Sequence, residues 1–195
     1  SYATSRTDAE EDEVAFSSAS VREVAYDMLT PSDRTTGHRL AAEWLERHGE
    51  SDAVRLGEQW LRAGERSRAA ALFGRAAEQA LEGGDFPRCR ELSALAQENE
   101  TDPELRAGWL GSETEALGWA GRFEEMIARA EVAFGILTPG STAWCRAAAA
   151  IMLLGGGAVP MERVLAIIGS VAFLPLGPEA SLAEVLGEEA AEALV

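Results

Sequence analysis

The chain contains no lysine; all seventeen of its basic residues are arginine. A Walker A loop, a Schiff base and a lysine contact to a transferred phosphate all require that side chain, so none of these chemistries is available here. Cysteine is almost as scarce. Cys89 and Cys145 stand far apart inside helical patterns, so they supply neither a disulfide framework nor a metal cluster and read as buried free thiols. Asn occurs once, at position 99, and His only at positions 38 and 48. The Arg-only, Asn-poor bias is that of GC-rich coding sequence and points to a GC-rich bacterium. Positive charge is also short: the formal net charge is -16. Such a chain repels phosphate backbones and anionic lipid, so neither nucleic acid nor a membrane surface is expected as a partner. Residues Ser1 to Asp12 lack the apolar core of a secretory signal, and the apolar stretch Met161 to Leu174 is too short for a bilayer. A cytoplasmic location is expected.

What is present is helical. Apolar residues make up 47% of 195, with much Ala and few aromatics, enough for one domain or a repeat array. Residues 1 to 12 show no apolar period and are expected to form a disordered leader. A short extended piece, Glu13 to Ser17, leads into a helix from Ser20. Thr30-Pro31-Ser32-Asp33 then spells a capping box with an early proline, and Gly49 closes that helix. Ser51 is expected to cap a third helix ending at Gly64, and a fourth runs to Leu81 before Gly83-Gly84. Helices follow over Phe86 to Glu98, from the capping segment Thr101-Asp102-Pro103-Glu104 to Trp119, over Arg122 to Leu137, and from a Ser141 cap to Leu154. After Gly155-Gly156-Gly157, a helix is expected over Met161 to Leu174 and a last one from Pro178. The pattern contains no sheet. Short connections favour antiparallel neighbours, hence stacked helical hairpins.

Leu56-Gly57-x-x-Trp60, then Gly64, then Ala69-x-x-x-Phe73 and Ala76, resembles the tetratricopeptide (TPR) signature. Its mechanics are plain: a small residue lets the second helix approach, and the aromatics fill the remaining gap. Gly84-Asp85-Phe86 and Gly121-Arg122-Phe123 keep a turn that TPR-like hairpins often use, although the other signature positions there are degenerate. The resemblance implies an all-α, TPR-like stack of antiparallel hairpins in a right-handed superhelix over residues 50–157. Upstream, Phe16-x-x-Ala19-x-Val21-Arg22-Glu23-x-Ala25-Tyr26-x-x-Leu29, Asp33-Arg34, His38-Arg39-Leu40-Ala41 and Trp44-Leu45-Glu46 resemble bacterial STAND-type signalling ATPases. There this stretch lies where a winged helix hands over to TPR-like sensor repeats, often in fusions with protein kinases or nucleotide cyclases. Ser18 stands where that family commonly has His. The resemblance implies that residues 13–49 end a winged helix and begin the helical region. With Ser1 in place of Met and a last helix running to Val195, the sequence is expected to be a piece of a longer protein.

Few residues suggest chemistry. Gly83-Gly84-Asp85-Phe86 is reminiscent of the GGDEF signature of diguanylate cyclases, but its Glu is missing, and a helix C-cap followed by an N-cap explains all four residues. Gly155-Gly156-Gly157 lacks the Gly-Lys ending of a phosphate loop. His38 and His48 are too far apart on one helix to share an ion. Glu124-Glu125 and Glu188-Glu189 are ordinary solvated carboxylates. No catalytic residue, metal or cofactor is therefore expected. Trp44, Trp60, Trp109, Trp119 and Trp144 either fill seams or line a groove; Trp60 belongs to the signature, and Trp109 with Trp119 is the candidate partner-binding groove. Residues 158–195 are expected to cap the array or to form an interface, with Val164, Ile168, Val171 and Phe173 on a face that would pack on a second copy as a homodimer, or on further repeats. These features together indicate a protein-interaction or sensor scaffold of a larger cytoplasmic signalling protein. Two alternatives stay open: a small-molecule-sensing helical domain, and a helical-bundle enzyme using Cys89 or Cys145 with a histidine.

Overall fold

Thr30 caps its helix as the sequence predicts. In the computed structural model, which describes residues 3–8, 11–16, 18–154 and 159–172, α1 (Ala19–Asp27) is followed by α2 (Pro31–Arg47). Asp33 N donates to Thr30 Oγ1 at 3.2 Å, and Thr30 N donates back to Asp33 Oδ2 at 3.4 Å. Next come α3 (Ala53–Arg62), α4 (Arg66–Glu82), α5 (Phe86–Asn99) and α6 (Pro103–Trp119). They are followed by α7 (Phe123–Phe134) and α8 (Thr142–Ala149), which continues as a π-helical turn, Ala150–Leu154, and by α9 (Met161–Ala172).

Two caps shift by one residue from the predicted positions. Asp52, not Ser51, caps α3, accepting from Val54 N and Arg55 N at 2.9 and 3.1 Å. Asp102 does the same for α6 with Glu104 N and Leu105 N. In each case a carboxylate adjoins the hydroxyl residue and is better matched to the positive end of a helix dipole. Helix α7 ends at Phe134, three residues before the predicted Leu137. Gly49, Gly64, Gly84 and Gly121 adopt φ between 72° and 82° just past α2, α3, α4 and α6, the left-handed position that ends a helix at least cost with glycine.

Within the leader expected to be disordered over residues 1–12, the described residues 3–8 and 11–12 are extended. Strands β1 (Ala3–Asp8) and β2 (Glu11–Phe16) pair antiparallel, with Ala3 opposite Phe16 and Asp8 opposite Glu11. A backbone ladder needs extended residues such as Thr4, Thr7 and Val14 rather than an apolar period, which is why the helical reading passed over it. The predicted extended piece from Glu13 falls on the second strand. Beyond residue 17 every described element is helical, so the all-α class holds there. Gly155-Gly156-Gly157 and the helix expected from Pro178 lie outside the described residues.

Helices adjacent in sequence pack on one another from α2 to α7, joined by turns too short for anything but a reversal of direction. Next-nearest contacts are made by α4 with α6 and by α6 with α8, so α6 is the centre of the stack. The buried apolar side chains form two clusters. One joins Trp60, Ala69, Phe73, Cys89 and Leu92 between α2 and α5; the other joins Leu110, Leu117, Met126, Trp144, Ile151 and Ile167 from α6 onward. All five signature residues, Leu56, Gly57, Trp60, Ala69 and Phe73, are buried. A methyl at Gly57 would lie 2.8 Å from Phe73 Cε1, so the glycine is what brings α3 and α4 together. Among the described residues no helix is long and apolar enough to cross a membrane.

Candidate functional site

Helix α6 carries an unusual run of buried polar residues, Ser112, Glu113 and Thr114. Thr114 satisfies its hydroxyl within the helix by donating to Leu110 O at 2.6 Å. Glu113 accepts from Gln97 Nε2 at 3.2 Å and faces Arg129 Nε at 3.3 Å. Ser112 accepts from Arg146 Nη1 at 2.7 Å. Arg146, the one charged side chain of α8, also donates to Glu78 Oε1 of α4 at 3.1 Å, and its Nε lies 3.9 Å from Glu115 Oε2. Gly111 permits this crossing, because a methyl there would come 3.0 Å from Ala143 O.

Where α4, α6 and α8 meet, a cleft of about 370 Å³ opens. Leu105, Gly108 and Trp109 form its α6 wall; Leu137 and Ala143 face them, with Glu78, Glu104 and Arg146 among its polar lining. Trp109 is half-buried, its edge set into a notch at Gly74, where a methyl would sit 1.9 Å from the indole nitrogen. Glu104 accepts from Thr138 Oγ1 at 2.9 Å. An apolar wall with an aromatic and a few fixed polar groups at one edge is the ordinary build of a binding site.

The structure separates the predicted groove pair. Ten residues place Trp119 about 15 Å along α6 from Trp109 and about 80° around it. Trp119 is 57% exposed and its indole N–H points to Glu115 Oε1 at 3.5 Å, outside the cleft. Trp109 alone of the two lines the cleft. Among the other tryptophans, Trp60 and Trp144 are buried and Trp44 stacks on His48. The expected interface face is corrected at Val164, which packs inward against the second core cluster beside Ile167 while Met161 and Leu165 are exposed. The 3.6-residue period carries Val164 and Ile167 to one side and Met161 and Leu165 to the other. The side chains of Ile168 and Val171, and all of Phe173, lie outside the described residues.

No family model matches the chain, and searches of the curated proteins and of the solved structures find no match either. The site is therefore read from its own geometry.

The two thiols are withdrawn from solvent. Both are buried; of the histidines, His38 Nδ1 pairs with Gln59 Oε1 and its Nε2 with Tyr26 Oη, each at 2.8 Å, and His48 Nδ1–H donates to its own helix at Trp44 O. Burial pushes the Cys89 thiol up to about 11, with its Sγ–H donating to Ser112 O at 3.7 Å; burial also raises Cys145. At pH 8 the Cys89 thiol is therefore held in its protonated form. Ellman's reagent should leave both thiols unmodified in the native chain at pH 8 and titrate both in guanidinium; fast native modification of either would revive the thiol-enzyme reading. Among the described residues no group of three or more His, Cys, Asp or Glu is placed to hold a metal ion. Glu125 pairs with Arg122 on the surface, and Glu188-Glu189 lies outside the described residues.

Arg146, Glu78 and Glu104 were not singled out from the sequence. A single arginine in the run Thr-Ala-Trp-Cys-Arg-Ala-Ala-Ala is a usable signal, since a lone charge on an apolar helix needs a partner on a neighbouring element. The two glutamates carry no such mark among 33 acidic residues.

Proposed function

We propose that this chain is a protein-interaction module, a TPR-like stack of hairpins that binds an extended segment of a partner and has no catalysis of its own. The observation that carries this reading is the cleft among α4, α6 and α8. It is open along one side, walled by the exposed Leu105 and the half-buried Trp109, and anchored by the Arg146 contacts that tie the three helices into one rigid surface. Tryptophan set in a prepared notch is the residue type and setting that dominates binding energy in protein interfaces. The resemblance of residues 13–83 to the stretch where STAND-type ATPases pass from a winged helix into TPR-like sensor repeats supports a place in a larger cytoplasmic bacterial signalling protein, where partner occupancy on the hairpins would be relayed to a nucleotide-handling domain.

The test is selection of a displayed random-peptide library against the whole chain. Enrichment of a family of peptides that bind the chain and lose at least about tenfold in affinity against Trp109→Leu supports the reading. A chain that enriches no peptides, or peptides indifferent to Trp109→Leu, overturns it.

A further inference from the structure

A second tryptophan in the chain already shows what the cleft lacks. Arg68 lays its guanidinium over the Trp60 ring, 3.7 Å from the centroid, and donates to Glu46 Oε2 at 2.7 Å, while Trp60 Nε1 donates to the other Glu46 oxygen at 3.0 Å. Indole, guanidinium and carboxylate form a closed triad, each group satisfying the next. At Trp109 the indole nitrogen edge is turned into the Gly74 notch rather than onto a carboxylate, but the residue borders a cleft that Glu104 and Glu78 also line. Among the described residues, guanidinium-over-ring contacts are made by Arg68 on Trp60 and Arg34 on Tyr26, and none is made on Trp109. Arg146, the cation nearest at hand, is turned to Ser112, Glu78 and Glu115.

The charge balance of the cleft is negative. Arg146 is matched by Glu78 at 3.1 Å, whereas Glu104 meets only the neutral hydroxyl of Thr138 among the described residues. A chain of net charge -16 adds a long-range field of the same sign. We propose that the cleft receives an arginine side chain of a protein partner, its guanidinium lying on the Trp109 ring as Arg68 lies on Trp60, and its N–H groups on Glu104. This inference rests on the peptide-binding reading above and names the partner's chemistry. Arginine fits better than lysine because a planar guanidinium can stack on the indole and meet a carboxylate at its edge at the same time.

Synthetic copies of the enriched peptides, titrated calorimetrically onto the whole chain at two salt concentrations, test it. Expected are an arginine shared by the binders, a loss of at least about tenfold on changing that arginine to glutamine, and a smaller loss on changing it to lysine. Affinity should fall with rising salt, and Glu104→Gln, an exposed substitution that leaves the fold intact, should weaken the arginine peptide several-fold while leaving its glutamine version unchanged. Peptides that bind through Trp109 but are neutral or acidic, or indifferent to Glu104→Gln, overturn the inference and leave the interaction module standing. Free L-arginine amide binding as tightly as the peptides overturns it in favour of a small-cation site. A library that enriches nothing overturns both proposals.

Discussion

Replacing Trp60 by alanine should cost about 3–5 kcal/mol of stability, the range for removing a fully buried large aromatic. Trp60 is 2% exposed, lies in the cluster with Phe73 and Leu92, and supports Arg68 on its face and Glu46 at its N–H. The loss has a place as well as a size. The two apolar clusters are separate and α6 is the element between them, so damage at α3–α4 should be felt first at that end of the stack. Hydrogen exchange on the variant should show α3 and α4 amides losing protection while those of α6 and α8 keep most of theirs. Trp119→Ala is the control: at 57% exposure it should shift the denaturation midpoint by no more than about 0.5 kcal/mol-equivalent. A Trp60→Ala loss below about 1 kcal/mol, or protection lost evenly along the chain, would contradict the view of Trp60 as the pin of the first hairpin.

That pin was legible because its reason is local. A glycine that must sit under an aromatic of the next helix, at fixed spacing, can be read from residue order, and Gly57 of α3 does sit under Phe73 of α4. The helix ends were legible for the same reason: capping hydroxyls and carboxylates, early prolines and left-handed glycines act within four residues of themselves. Where local cues competed, at Ser51 against Asp52 and at Thr101 against Asp102, the stronger acceptor prevailed. The N-terminal hairpin escaped notice because the pairing of β1 with β2 is carried by backbone hydrogen bonds and leaves little mark on apolar periodicity.

The cleft was half legible. Trp109 stood out as a large aromatic on a central helix, but so did Trp119, and their spacing of ten residues does not tell which one faces a neighbour. That choice is made by which helices touch. The contacts of α4 with α6 and of α6 with α8 bring Glu78, Trp109 and Arg146 together from positions up to 68 residues apart. The degenerate second and third hairpins gave no register from which such contacts could be deduced.

The notch beneath Trp109 gives the second large effect, this one on the site. In Gly74→Ala the new methyl would fall 1.9 Å from the indole nitrogen, so something must move. At Gly57 the corresponding obstacle is Phe73, which is buried on all sides and cannot leave; Gly57→Ala should therefore be the costlier for the fold, about 1–3 kcal/mol from overpacking. Trp109 has solvent on one side, and its ring can swing outward into the cleft. Moreover, alanine gains up to about 1 kcal/mol over glycine in a helix interior, which offsets much of the cost. Gly74→Ala should thus remain folded, with a midpoint close to that of the parent, while acrylamide quenching of tryptophan emission rises and peptide binding falls at least about tenfold. A Trp109→Phe background identifies the indole responsible, because the added quenching should vanish in it. A folded Gly74→Ala chain that retains full peptide affinity would place the binding surface elsewhere on the stack, since no group in the cleft could then depend on the seating of Trp109.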